Sequence, residues 1–267
     1  MLIVGERINA TRPAIARALT ERDAEQIAGE ARRQAEAGAD FLDVNAGSDP
    51  ARELENLQWA LEVVQDAGDL PLCLDSANPD VLRAGLELVE TDSVMLNSAT
   101  AEEEKMDEVI GIAADSGALL VALTMDDSGV PGTADRRVDV AARLIEAAEA
   151  QGVPRDHLYV DPCVQPVSTD VCQGAEVLSA VFRIMQAFPG VHTTCGLSNI
   201  GFGLPNRNLV NRTFLAQLIP AGLDSAIMDP TEEGLMETVR AAEALAGRDE
   251  FCMDYIRAMR GKAGATA

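Results

Sequence analysis

One alternation recurs eight times along the 267 residues of this chain, and it limits the possible folds more than any other feature. Short apolar runs rich in Leu, Val and Ile alternate with long Ala/Glu/Arg/Leu stretches. The strand-like runs cover 2–6, 41–45, 70–75, 93–97, 119–124, 158–161, 193–198 and 225–229. Helical stretches are expected near 23–38, 50–67, 79–89, 101–116, 135–151, 174–187, 208–220 and 232–246, with a short extra helix around 249–260. Leu54, Leu57, Leu61 and Val64 recur at helical spacing, as do Leu235, Val239, Ala242 and Leu245, so each set predicts one buried stripe. Gly38, Gly68, Gly117, Gly152 and Gly222 sit at or just past helix ends, where a left-handed residue is favoured. Eight β-then-α units of about 30 residues, with no linker, predict an α/β chain closed into a single (β/α)8 (TIM) barrel over 1–260. The tail 261–267, GKAGATA, is expected to be flexible. A doubly wound open sheet is the alternative, but the turn after the first run, GERINATRP, lacks the glycine pattern of that fold.

Composition narrows the partners. Lys and Arg number 21 against 44 Asp and Glu, a net charge of −23. That sign opposes binding to nucleic acid phosphates or to anionic membranes. Nine aromatic residues (Phe 6, Tyr 2, Trp 1) are too few for a base-stacking platform. The first ten residues lack a basic segment followed by a long apolar one, and no run is long enough to span a bilayer, so a cytoplasmic location is expected. Five cysteines, Cys73, Cys163, Cys172, Cys195 and Cys252, are widely spaced with no CxxC. They read as small buried apolar residues in a reducing compartment, against a metal role that would need tighter clustering.

In a barrel of this kind chemistry sits at the C-terminal ends of the strands. The expected strand ends deliver Glu6, Asp43, Asn45, Asp75, Asn97, Thr124, Asp161, Ser198, Asn199 and Asp229 to one mouth. Capping of the next helix would account for some of them, since Ser76 and Ser98 follow Asp75 and Asn97. It accounts poorly for Asp43 and Asp161, which lie far from their next helices. The two histidines, His157 and His192, precede strands and belong at the opposite rim, so a histidine base is not expected at the mouth. Converging aspartates repel unless a ligand brings donors or a metal. A guanidine-like edge, as in pterins and guanines, would give a carboxylate two parallel hydrogen bonds. Mg²⁺ is the competing occupant, as in a metal-assisted lyase or aldolase.

Several segments together carry a resemblance: MLIVGERIN at the start, LDVNAG (42–47), LCLDS (72–76), MLNS (95–98), DP (161–162) and GLSNIGFGLPNRNLVNRTFL (196–215). The chain is similar to the pterin-binding methyltransferases. It most resembles the methyltetrahydrofolate:corrinoid protein methyltransferases, related to the folate domain of cobalamin-dependent methionine synthase. Dihydropteroate synthases carry a phosphate-binding Ser-Arg-Lys segment where this chain has Ser198, Asn199 and Ile200. The resemblance implies methyl transfer between N5 of methyltetrahydrofolate and the cobalt of a corrinoid, in either direction. It implies that Asp75, Asn97 and Asp161 hold the pterin, with Asp43 lining the pocket. It places Gly196 and Ser198 in the floor and Asn199 beside N5 as the catalytic group. Arg207, in the glycine-rich stretch 201–208, is a candidate for the glutamate tail, as are Arg212 and Arg7. That stretch reads either as a long loop or as a mobile segment over Asn199. A corrinoid module would carry a D-x-H-x-x-G motif, which neither histidine fits. The resemblance therefore implies a corrinoid protein as partner, no tightly bound metal and a homodimer. A folate-binding protein without catalysis is the other class that these residues allow.

Overall fold

The computed structural model describes residues 1–91 and 93–265. The eight strands are β1 (Leu2–Asn9), β2 (Phe41–Asn45), β3 (Leu72–Asp75), β4 (Val94–Thr100), β5 (Leu119–Leu123), β6 (Leu158–Asp161), β7 (His192–Thr193) and β8 (Ser225–Met228). All pair in parallel, in the order β7-β6-β5-β4-β3-β2-β1-β8. The last seam closes through a parallel bridge between Gly196 and Ile227, where the Ile227 N–H donates to the Cys195 carbonyl at 2.9 Å. The expected barrel is therefore observed. The chain keeps its seventh strand to two residues because Leu197–Asn199 turns into a 3-10 helix, not the strand expected through 198.

Around the strands run α1 (Pro13–Glu21), α2 (Ala24–Glu36), α3 (Glu53–Ala67), α4 (Pro79–Leu86), α5 (Met106–Ser116), α6 (Ala134–Ala150), α7 (Gln173–Ala187), α8 (Arg207–Ala221), α9 (Leu235–Leu245) and α10 (Met253–Ala265). Helix α1 is additional to the sequence expectation; Pro13 opens it at a position where the missing N–H costs nothing. Helix α10 carries the backbone through Ala265, into the segment expected as a tail, whose last two residues lie outside the described residues.

The outer core forms between strands and helices, and both predicted stripes need trimming. Leu57, Leu61 and Val64 are buried but Leu54 is exposed; Leu235, Val239 and Ala242 are buried but Leu245 is 90% exposed. In both cases the outlying leucine lies at a helix end, beyond the sheet that covers the rest. Gly38, Gly117, Gly152 and Gly222 take positive φ, whereas Gly68, at φ 171°, is merely extended.

Inside the barrel a separate plug forms from one residue of each of seven strands: Val4, Phe41, Cys73, Met95, Val121, Tyr159 and Ile227. This layer sets which residues reach the mouth. Strand side chains alternate faces with a period of two, so the residue two positions on also faces the barrel axis, one level nearer the C-terminal rim.

Candidate functional site

Adding two to each plug residue gives Glu6, Asp43, Asp75, Asn97, Leu123, Asp161 and Asp229. All seven line one cavity of about 940 Å³ at the C-terminal end of the barrel. The apolar plug is its base and a ring with six polar members is its floor. Gly196, Ser198, Asn199 and Arg207 line the same cavity, so the pterin, floor, catalytic and tail residues implied by the resemblance share one space. Thr124, one residue past Leu123, has the opposite parity; it is buried against Cys163 and does not line the cavity. Asn45 is also outside it, donating to the Asp75 carbonyl and accepting from the Gly47 N–H.

Three carboxyls in this floor lack an ion-pair partner among the described residues: Asp43, Asp75 and Asp161. Asp43 is 1% exposed and accepts from the Asn97 amide, 3.2 Å away, and from the Cys73 thiol. Burial pushes its pKa well above the usual carboxylate range, and the neighbouring Asp75 adds to this. Asp75 is pushed up to about 6, again chiefly by burial. Asp161 is also raised to about 6 by burial, partly offset by the N–H groups of Cys163 and Gly196; Cys163 donates to its Oδ1 at 2.7 Å. Each carboxyl thus holds its proton to a higher pH than a free aspartate, and donors entering the cavity would favour its ionised form.

The opposite side of the floor is different. Glu6 accepts from the Ser198 hydroxyl at 2.6 Å and meets Arg12 at 3.4 Å, yet burial still raises its pKa. Arg7 bridges Glu30 and Asp229, at 2.7 and 2.6 Å. Arg207 donates to the Ser198 carbonyl at 2.7 Å and has no carboxylate partner among the described ion pairs, so its charge is available at the mouth. Arg212 instead donates to the Glu233 carbonyl and is not among the cavity residues. Asn199 is exposed, and its amide points along the wall beside Gly196, where a Cβ on that glycine would come within 3.1 Å of its nitrogen. No side-chain hydrogen bond within the described residues restrains it.

Strand-end reading finds Glu6 and Asp229 only as general polar positions, and it misses Arg12, Asn208 and Asn211. The plug-plus-two spacing selects Glu6 and Asp229 directly. The other three come from βα connections and a helix, where no short period applies. Among the described residues no group of three or more His, Cys, Asp or Glu is arranged to hold a metal ion, although Asp43 and Asp75 lie close together. No described helix is long and apolar enough to cross a membrane. Three of the cysteines, Cys73, Cys163 and Cys195, are buried; Cys172 and Cys252 are exposed, and all five are free thiols.

Known proteins resemble this chain at two levels. The family described as pterin binding enzyme matches residues 5–229. The methylcorrinoid:tetrahydrofolate methyltransferase of Eubacterium limosum is 38% identical over 99% of this chain and 98% of its own. Methionine synthase of Mycobacterium tuberculosis is 32% identical over 85% of this chain, which matches 20% of that protein. In three dimensions, a dihydropteroate synthase of Xanthomonas albilineans superposes with a TM-score of 0.70 over 91% of this chain and 92% of its own, at 18% identity. A likeness at that identity reports the fold alone.

Proposed function

This chain belongs to the pterin-binding enzyme family, and from that premise we propose that it moves a methyl group between N5 of methyltetrahydrofolate and a corrinoid carried by a separate protein. The observation that carries the reading is the end-to-end likeness to the Eubacterium limosum enzyme, whose name gives both the folate and the corrinoid. The chemistry of the cavity supports it. A pterin presents an amino group and an adjacent ring N–H, two parallel donors that suit an ionised carboxylate without a cation of its own. Asp75 and Asp161 are the carboxyls for that edge, with Asn97 and Asp43 completing the floor around it. Entry of those donors stabilises the charged carboxylates that burial alone disfavours. A cavity of about 940 Å³ accommodates a ligand of folate size.

The bond to be broken joins the methyl carbon to N5, a poor leaving group unless it carries positive charge. In the direction from folate to cobalt, N5 therefore takes a proton from solvent before transfer and keeps the electron pair of the broken bond. In the reverse direction N5 gives its pair to the methyl carbon and then returns the proton to solvent. The corrinoid supplies a cobalt centre able to take up or give back the methyl group. Asn199 is a neutral amide without a competing hydrogen bond, set beside the cavity wall. Its hydrogen bond at N5 strengthens as the charge there changes, which lowers the barrier more than it aids binding. The same transition state serves both directions. Gly196 and Ser198 shape the wall, and Ser198 is held by Glu6. Arg207 supplies the charge for the folate's glutamate tail.

The protein works, in this reading, in the cytoplasm and as a homodimer, with no tightly bound metal and no nucleic acid or membrane as partner. Anaerobic mixing of the protein with methyltetrahydrofolate and reduced cobalamin tests the assignment. Cobalt(I) absorption should disappear only when protein and methyl donor are both present. Folate binding with unchanged cobalt(I) absorption would select a binding protein, and activity abolished by chelator would select a metal-assisted enzyme.

A further inference from the structure

Arg137 of α6 is the largest of the fully buried side chains, at 0% exposure, and it forms no ion pair among the described residues. A buried guanidinium is costly unless its donors are used. Its Nε donates to the Pro162 carbonyl at 2.6 Å, and Nη2 donates to the Gln173 side chain at 2.7 Å and to the Cys163 carbonyl at 3.4 Å. Nη1 is buried with no partner among the described residues. Gln173 is itself buried and is held through its amide by Asp170, at 2.8 Å. The chain thus places a cation behind the cavity wall and aims it at the segment that follows Asp161.

The geometry of that segment gives the cation a route to the site. The Pro162 carbonyl and the Cys163 N–H belong to one peptide group, and in a trans peptide these two point in opposite directions. Arg137 grips the carbonyl end; the N–H end donates to Asp161 Oδ1 at 2.7 Å. Cys163 takes a left-handed φ of 57°, uncommon for a residue with a side chain, so the turn needs an external hold. A cation on the carbonyl polarises the peptide and strengthens the bond that its N–H donates. We propose that Arg137 is a positioning residue for ligand binding, acting on Asp161 through the Pro162–Cys163 peptide to aim its carboxylate into the cavity and favour its negative charge. This rests on Asp161 being a folate-binding carboxylate and goes beyond it by naming what prepares that carboxylate.

The groups around Asp161 leave this role to Arg137. The thiols of Cys163, on its own loop, and Cys195, beyond β7, are both raised by burial and bring no positive charge. The other titratable groups near Arg137 are Glu176 and Asp170 on the α7 side, both acidic. The remaining help comes from the Gly196 N–H. Among the described residues, Arg137 is the cation that acts on Asp161.

Carbon-13 NMR of ligand-free protein labelled at its aspartate carboxyls tests this, with Asp161 assigned from the signal missing in D161N. In R137M the Asp161 midpoint should rise from about 6 by about one pH unit, the size expected when an opposite charge nearby is lost. R137K, which keeps the charge but not the fork, should restore most of that shift. Calorimetric titration with methyltetrahydrofolate across the same pH range should show the acid limb of binding moving with the carboxyl midpoint. An unmoved midpoint, with affinity lowered equally at every pH, would mean that Arg137 only packs the wall and would overturn the proposal. Should R137M not fold, Q173E sets a carboxylate against the guanidinium and should move the midpoint the same way; no movement there overturns it equally. A midpoint that moves as expected in a protein to which methyltetrahydrofolate does not bind would support the role of Arg137 and overturn the folate reading instead.

Discussion

The two rims of this barrel place their carboxyls in different settings, partly exposed and paired at one end, sunk in a cavity floor at the other. At the N-terminal rim three carboxyls, half-buried or exposed, each have a partner. Asp224 accepts from the Thr193 N–H at 2.8 Å and shares a 2.7 Å hydrogen bond with His192 Nδ1. Asp40 accepts from the Ile3 N–H, and Glu243 pairs with the terminal amine of Met1. At the C-terminal rim Asp43, Asp75 and Asp161 are carried to the floor of a cavity and have no ion-pair partner among the described residues. Asp229, held by Arg7, is a fastener at the upper rim as Asp224 is at the lower, whereas Asp43, Asp75 and Asp161 are waiting acceptors. The difference lies in what the neighbouring backbone and side chains supply, and it marks the upper rim as the place where a ligand must complete the hydrogen bonding.

The sharpest way to break this comparison is to remove an acceptor from the upper rim. Asp75→Ala and Asp161→Ala should each weaken methyltetrahydrofolate binding by about 2–3 kcal/mol, the value of a buried charged hydrogen bond. Calorimetry reads this directly. Affinity retained in both would mean that the cavity floor is not the pterin site. Asn199→Ala should act differently, lowering the transfer rate by about tenfold while changing affinity less, because its bond matters most in the transition state. Stopped-flow rates beside binding constants separate the two, and equal losses in both would remove the role assigned to it.

Acidity supplies the next, more moderate test. Asp75 and Asp161 titrate near 6 in the free protein, above their unfolded values near 3.8. Between those values the folded state holds more protons than the unfolded one, so these groups favour folding less as pH rises through that window. Binding runs the other way, since a pterin's donors need the ionised carboxylates. Folate affinity should therefore fall as pH drops through about 6, while the contribution of these two groups to unliganded stability improves. Denaturant titrations at several pH values, with and without methyltetrahydrofolate, check both signs together.

Much of the fold and the floor of the site is legible in the sequence, because both rest on periodicity. Strand alternation is a local property, so the eight runs and the strand-end polar residues can be found without the fold. Leu54 and Leu245 fail as core residues because a helical stripe says which face is buried but not where the covering sheet ends. The seventh run reads as a full strand because TTCGLS has strand composition, while closure needs only the Ile227 to Cys195 bond and the Gly196 bridge. Arg137 is invisible for a deeper reason. On a helix rich in Ala, Asp and Arg it resembles any solvated arginine, and only the tertiary structure shows it 0% exposed behind Asp161.

The smallest effect sharpens the comparison from the lower rim. His192 has its pKa raised, first by its hydrogen bond to Asp224, and its ring stacks on Tyr159 with centroids 4.8 Å apart. A histidine raised on folding contributes stability that is fully present below its unfolded value of about 6.5 and is lost as pH rises through the folded value. The two side chains are 36% and 27% exposed, so solvent screening limits the gain to about 0.5–1 kcal/mol. His192→Gln should therefore lower the unfolding temperature clearly at acidic pH and far less at alkaline pH. Folate affinity should not change at any pH, because this pair lies at the other end of the barrel from the cavity. A deficit that does not vary with pH would show that His192 contributes through packing on Tyr159 alone. Weakened folate binding would show that the two rims are coupled.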